Sequence, residues 1–316
     1  MPLSEKSSAP LDVANKPLHR SAMPVSELSS SKPGQKKPSE RFGSKSLWTW
    51  GAATLSAFAL LFAALQVGVG SSETGTQQLV VHVLATYPHD RGAWTQGLLW
   101  HQNKLYESTG MEGQSSLRAV DLQSGEVLNH MALEPSIFAE GLALVGRRLI
   151  QLTWKNQKAL VWKLGSFEPL GQFNYYGQGW GLCFDGRSLV MSDGSEMLTF
   201  RNPETFDIVS TVRVLDEGRP VRRLNELECV DEFIYANIWT SDTIVRIDSS
   251  SGVVNARIDA SGLLSPRERS QADVLNGIAY LENRQRFLLT GKYWPKMFEV
   301  EFMPRPEPLP ATRSDR

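Results

Sequence analysis

The sequence predicts an all-β fold, a five-bladed β-propeller preceded by a disordered basic N-terminus and one transmembrane helix. Three observations carry this expectation. An uncharged apolar run, 47–70, follows a leader rich in Ser, Pro and Lys. Beyond it, five hairpin-like segments recur at intervals of 44, 40, 45 and 51 residues. Matched phases of those segments carry Trp and polar side chains instead of one repeated small residue.

Residues 1–46 lack apolar periodicity and hold eight basic against four acidic residues, a composition that cannot bury a core. From Leu47 to Gly70 there is no charged residue, and Trp48 and Trp50 open the run. At about 1.5 Å per residue it reaches roughly 33–36 Å, the thickness of a bilayer's hydrocarbon layer. The basic flank before it predicts a single-pass anchor with the N-terminus cytoplasmic and the remainder in the periplasm or outside the cell. A cleaved signal peptide is the alternative; the long leader and long apolar stretch exceed its usual dimensions.

After the anchor, 25 basic and 30 acidic residues remain, which argues against nucleic-acid binding. Two cysteines in 316 residues exclude a disulfide framework and a Cys-built metal site. The expected domains are a cytoplasmic segment 1–46, the anchor 47–70, a catalytic domain 76–304 and a disordered tail 305–316; a monomer is expected.

The repeat begins at TQGLLWHQNKLYEST from Thr95 and returns at Ala139, Gly179, Leu224 and Leu275. Each unit has a short apolar run, a polar turn, a second run rich in Leu, Val, Ile and Tyr, and a third run ending in a turn. Periods of 40–50 residues with three to four strands per unit indicate a propeller, and the count of units gives five blades. An irregular β-sandwich is the competing architecture. The last unit stops after its third strand, so QQLVVHVLATY, ahead of the first, is placed as its outer strand. Beyond the anchor, the only helical signal is a turn around Pro266–Ala272.

The anchor positions are Leu98, Leu142, Leu182, Leu227 and Ile278. Two residues before them stand Gln96, Glu140, Trp180, Asn225 and Asn276, on strands that line a propeller's channel. A ring that is polar and different in every blade reads as a site grafted on a symmetric scaffold. About twelve residues after the anchors, the second strands end at Gly110, Trp154, Asp193–Gly194, Trp239 and Lys292. The two rings gather three indoles, a carboxylate and an amine at one mouth. A carboxylate walled by indoles loses solvation, which moves its pKa towards proton-transfer range. No HExxH, HxH, GxSxG or P-loop pattern is present. Cys183 and Cys229 fall on opposite strand faces by this phasing and are read as buried thiols, with a disulfide the less favoured reading.

The motifs YPHDRGAWTQGL, LYESTG, FAEGLAL, LTWKNQ, GWGLCFDG, LNELE, ANIW, VLNGIAY and LTGKYWP occur in this order. Over about 78–302 the chain resembles the plant and bacterial type of glutaminyl-peptide cyclotransferase, a five-bladed propeller family. The resemblance implies conversion of an N-terminal glutamine to pyroglutamate with release of ammonia, on peptides or proteins as substrate. It places functional positions at Gln96, Phe138, Glu140, Trp154, Trp180, Asn225, Trp239 and Lys292. Trp94 stands where the family usually has Phe, a change in the pocket wall.

Cyclisation needs a neutral α-amine, stabilisation of the carboxamide oxygen and a proton for the leaving nitrogen. Glu140 is the expected general acid–base, with Lys292 and Asn225 as catalytic partners. Gln96, Trp94, Phe138, Trp154, Trp180, Trp239, Asn276 and Glu107 are expected to bind substrate; Glu107 has a bond within its blade as the alternative. The reaction is intramolecular, so no cofactor, metal or nucleophilic side chain is called for. Two competing readings remain. One is a metal-dependent propeller lactonase or hydrolase using Glu140, Asn225 and Asn276 as oxygen ligands. The other is a non-enzymatic, membrane-tethered peptide-binding propeller.

Overall fold

The computed structural model describes residues 75–306. Strand β1 (Gln77–Pro88) comes first. A four-stranded sheet follows, built of β2 (Thr95–His101), β3 (Lys104–Thr109), β4 (Ser116–Val120) and β5 (Val127–Ala132). The second sheet holds β6 (Ala139–Val145), β7 (Arg148–Thr153), β8 (Lys158–Lys163) and β9 (Pro169–Asn174). The third holds β10 (Leu182–Phe184), β11 (Leu189–Met191), β12 (Met197–Arg201) and β13 (Ile208–Arg213). A two-residue pair, β14 (Leu215–Asp216) with β15 (Arg219–Pro220), leads on.

Then come β16 (Leu224–Val230), β17 (Phe233–Ile238), β18 (Thr243–Asp248) and β19 (Val254–Asp259). Among the described residues the one helical turn, α1 (Pro266–Arg269), is set by Ser265 and Glu268, which cap each other's backbone, and by Pro266 in the first turn. The chain ends in β20 (Leu275–Leu281), β21 (Arg286–Gly291) and β22 (Lys296–Pro304).

Apart from the pairing of β1, each strand runs antiparallel to its sequence neighbour in the sheet, and burial falls from first strand to last. β6 is almost wholly buried and β2 is buried from Thr95 to Leu98, while β5, β9 and β13 face solvent. β19 is the exception because β1 covers it, pairing parallel from Gln77 against Ala256. β1 then continues antiparallel along β22, so one strand joins β16–β19 and β20–β22 into an eight-stranded sheet.

Apolar side chains form five core clusters, each between two successive sheets or between the halves of the eight-stranded one. The first strands pack on one another in the order β2, β6, β10, β16, β20 and back to β2. That approach is close enough to demand glycine. A Cβ on Gly97 would overlap the backbone of Leu142, one on Gly141 that of Leu182, and one on Gly181 that of Asn225. At the equivalent position of β16 stands Glu226, whose carboxyl accepts from the backbone N–H groups of Leu98 (3.3 Å) and Ile278 (2.8 Å).

Two expectations are corrected here. Cys183 and Cys229 form a disulfide with Cα atoms 5.5 Å apart. Opposite faces forbid a bridge within one sheet. Between two stacked sheets the facing surfaces are opposite faces, so the phasing that argued against the bridge is the one that permits it. The membrane-anchored, single-pass location is also overturned. Among the described residues no helix is long and apolar enough to cross a membrane. The run 47–70 that suggested an anchor lies outside the described residues, as do the leader and positions 307–316.

Candidate active site

Four of the five first strands carry a β-bulge at the same place, between Thr95 and Gly97, Ala139 and Leu142, Leu224 and Leu227, and Leu275 and Ile278. A bulge breaks the alternation of faces and re-aims a side chain. Here it turns Gln96, Glu140 and Asn225 into a common cavity. Equivalent backbone bonds then bring the second-strand ends alongside: Gly110 N to Trp94 O, Trp154 N to Phe138 O, Trp239 N to Arg223 O and Lys292 N to Val274 O. Both rings thus open at one mouth.

The cavity has a volume of about 280 Å³ and is lined by Trp94, Gln96, Phe138, Glu140, Trp154, Trp180, Asn225, Trp239 and Lys292. Its wall is aromatic and its polar groups are few, the usual character of a small-ligand pocket. Phe138 meets Trp154 edge-on at 5.6 Å, and Trp180 meets Trp239 edge-on at 5.5 Å. Trp94 packs on Tyr293 at 5.0 Å, with Lys292 Nζ 5.0 Å from the Trp94 ring.

Glu140 is 4% exposed and Lys292 equally so. Burial pushes the Glu140 carboxyl well above its ordinary pKa, and the charge of Lys292 only partly offsets this. Burial likewise lowers the Lys292 ammonium, against the opposing influence of Glu140 and Asp273. The two groups therefore sense each other in a medium of low polarity.

Gln96 is orientated from behind. Asn276 Nδ2 donates to Thr95 O (2.9 Å) and to Gln96 Oε1 (3.1 Å). A carbonyl only accepts, so the Asn276 group is its NH₂, and the Gln96 atom it meets is the oxygen. The Gln96 NH₂ is left for the cavity.

Two sequence expectations do not fit the lining. Asn276 stands behind Gln96 instead of facing the cavity. Glu107 is fully buried between sheets, where it accepts from Thr95 Oγ1 (2.7 Å), contacts His89 Nε2 (3.0 Å) and pairs with Arg118. Burial alone would raise its pKa, but Arg118 and then His89 hold it far below the ordinary carboxylate value. The reason is strand alternation. Glu107 shares the β3 face of Leu105, which packs towards β20–β22, and so points away from the mouth.

One residue at the mouth escaped the sequence reading. Gln178 Oε1 accepts from Trp154 Nε1 (2.7 Å) and Trp180 Nε1 (3.0 Å). Its only sequence signal is its place two residues before Trp180. Among the described residues no group of three or more His, Cys, Asp or Glu is arranged to hold a metal ion.

A family model described as "Glutamine cyclotransferase" matches residues 55–302. The glutaminyl-peptide cyclotransferase of Arabidopsis thaliana is 40% identical over 227 residues, covering 70% of this chain and 71% of that protein. The crystal structure of Myxococcus xanthus glutaminyl cyclase shares 41% identity, covers 73% of this chain and 100% of its own, and superposes with a TM-score of 0.67.

Proposed function

Since the chain belongs to the glutamine cyclotransferase family, we propose how its cavity carries out the reaction that membership brings: conversion of an N-terminal glutamine to pyroglutamate with release of ammonia. The chain is an enzyme, an acyltransferase in which the acyl acceptor is the substrate's own α-amine. The scaffold reading is a five-bladed propeller. The cyclic packing of five first strands and the five intervening cores support it.

Glu140 carries the mechanism. Its carboxyl is buried and opens on the cavity, and burial raises its pKa above that of an ordinary carboxyl, which makes it a stronger base towards the substrate amine. A substrate amine beside Lys292, among indoles, is held neutral both by desolvation and by the like charge. As its nitrogen attacks the γ-carbonyl carbon, Glu140 takes the amine proton and delivers it to the departing nitrogen. The C–N bond to ammonia breaks as the lactam C–N bond forms, and Glu140 is restored.

The γ-oxygen gathers charge during attack. The Gln96 NH₂, the Asn225 amide and Lys292 are the donors offered to it. Phe138, Trp154, Trp180 and Trp239 enclose the flexible side chain and raise the share of ring-closing conformers.

Incubating the purified protein with a Gln-initiated peptide, with and without a chelator, tests the reading by mass spectrometry. Loss of one ammonia, undiminished by chelator, is expected. Loss of activity with chelator would favour the lactonase-type site, and no loss of ammonia by folded protein would refute the cyclase.

A further inference from the structure

We propose that Gln178 is a positioning residue that locks the two halves of the aromatic wall together, its side-chain oxygen accepting from the indole N–H groups of Trp154 and Trp180. The proposal rests on the cyclase reading above and adds to it the element that keeps the wall closed.

Both indole nitrogens can only donate, so the Gln178 atom 2.7 Å and 3.0 Å from them is the carbonyl oxygen. The aromatic contacts of the wall run in two pairs, Phe138 with Trp154 and Trp180 with Trp239. Between the pairs, the link is Gln178. Phe138 and Trp154 flank β6 and β7 of the second sheet, whereas Trp180 precedes β10 of the third and Trp239 follows β17; the Gln178 side chain bonds across that junction, from one pair to the other.

The segment that delivers Gln178 is itself built. Gly179 N donates to Trp154 O at 3.2 Å, and the buried Tyr175 donates its hydroxyl to Thr153 O. A side chain at Gly179 would overlap that hydroxyl. Gln178, by contrast, is exposed and belongs to no core cluster, so the fold gains little from it. Its bonds serve the two tryptophans.

The consequence is kinetic. A wall free to part still encloses a glutamine side chain but no longer confines it to ring-closing conformers. Two hydrogen bonds of ordinary net strength correspond to about a tenfold to thirtyfold change. Gln178→Leu keeps the shape and removes the acceptor; Gln178→Glu keeps an oxygen that accepts from both indoles.

The test compares parent, Gln178→Leu and Gln178→Glu on a Gln-initiated peptide, with ultraviolet resonance Raman of the indole N–H-sensitive band alongside. For Gln178→Leu, kcat falls about tenfold or more, KM moves less than about threefold, and the band shows loss of indole hydrogen bonding; Gln178→Glu recovers both. A parental kcat in Gln178→Leu overturns the proposal, as does an unchanged Raman band. So does a kcat loss that Gln178→Glu shares while keeping the parental band. If the parent releases no ammonia, the cyclase reading fails, and the Raman comparison alone decides whether Gln178 bridges the indoles.

Discussion

Asn276 fixes which end of the Gln96 amide the cavity sees: its NH₂ holds Gln96 Oε1 at 3.1 Å while also bonding Thr95 O. Reversing the polarity of that contact should reverse Gln96. In Asn276→Asp the bond to Thr95 O is lost and the carboxylate accepts from the Gln96 NH₂, turning the amide oxygen to the reacting carbonyl. Losing one donor to a developing oxyanion costs on the order of a hundredfold in kcat. Steady-state kinetics on a Gln-initiated peptide should show that loss with a smaller change in KM. Parental kcat would remove Gln96 from the oxyanion site.

Glu107 belongs to the scaffold. Breaking a buried pair leaves its partners uncompensated, at a cost of about 3–5 kcal/mol. Glu107→Ala should therefore lower the thermal midpoint sharply, through the stranded Arg118 and His89. KM of the fraction that stays folded should be unchanged. A KM rise of tenfold in stable protein would return Glu107 to the substrate-binding group.

The Cys183–Cys229 bridge spans 46 positions. A cross-link closing a loop of that length contributes about 4 kcal/mol by the chain-entropy estimate. Changing both cysteines to Ala should lower the melting midpoint by roughly 8–16 °C for a domain of this size and leave kcat within about twofold. An unchanged midpoint would mean that the bridge adds no stability.

Glu228, which accepts from Tyr280 N at 2.7 Å, is raised by burial to about 8 from an ordinary 4.5. A carboxyl raised on folding contributes stability that is complete below the unfolded value and lost as pH climbs to the folded one. Glu228→Gln should thus melt higher than the parent at pH 8 and match it at pH 4. An equal difference at both pH values would show that Glu228 does not titrate in that window.

Much of this was legible in the sequence because the chain repeats itself. Gln96, Glu140, Trp180 and Asn225 share a phase before the anchor residue, and Trp154, Trp239 and Lys292 share one after the second strand. Phase alone placed them at one mouth. It could not separate Asn276 from Gln96, since which of two amides faces the cavity depends on a contact across 180 residues. Nor could it see the bulges, which arise from pairing between strands. Cys183 and Cys229 were misread because opposite faces were judged within one sheet and not between two. Gln178 lies outside both phases, in the turn between β9 and β10, where only side-chain bonds give it meaning.

The most direct test of the account is Glu140→Gln on a Gln-initiated peptide, following ammonia release and peptide binding together. The substitution keeps shape and burial and removes the exchangeable proton. General acid–base groups contribute about a hundredfold to ten-thousandfold, so the account predicts a fall in kcat of at least about a hundredfold with binding retained. A kcat within threefold of the parent, in protein that still binds the peptide, would contradict Glu140 as the proton carrier.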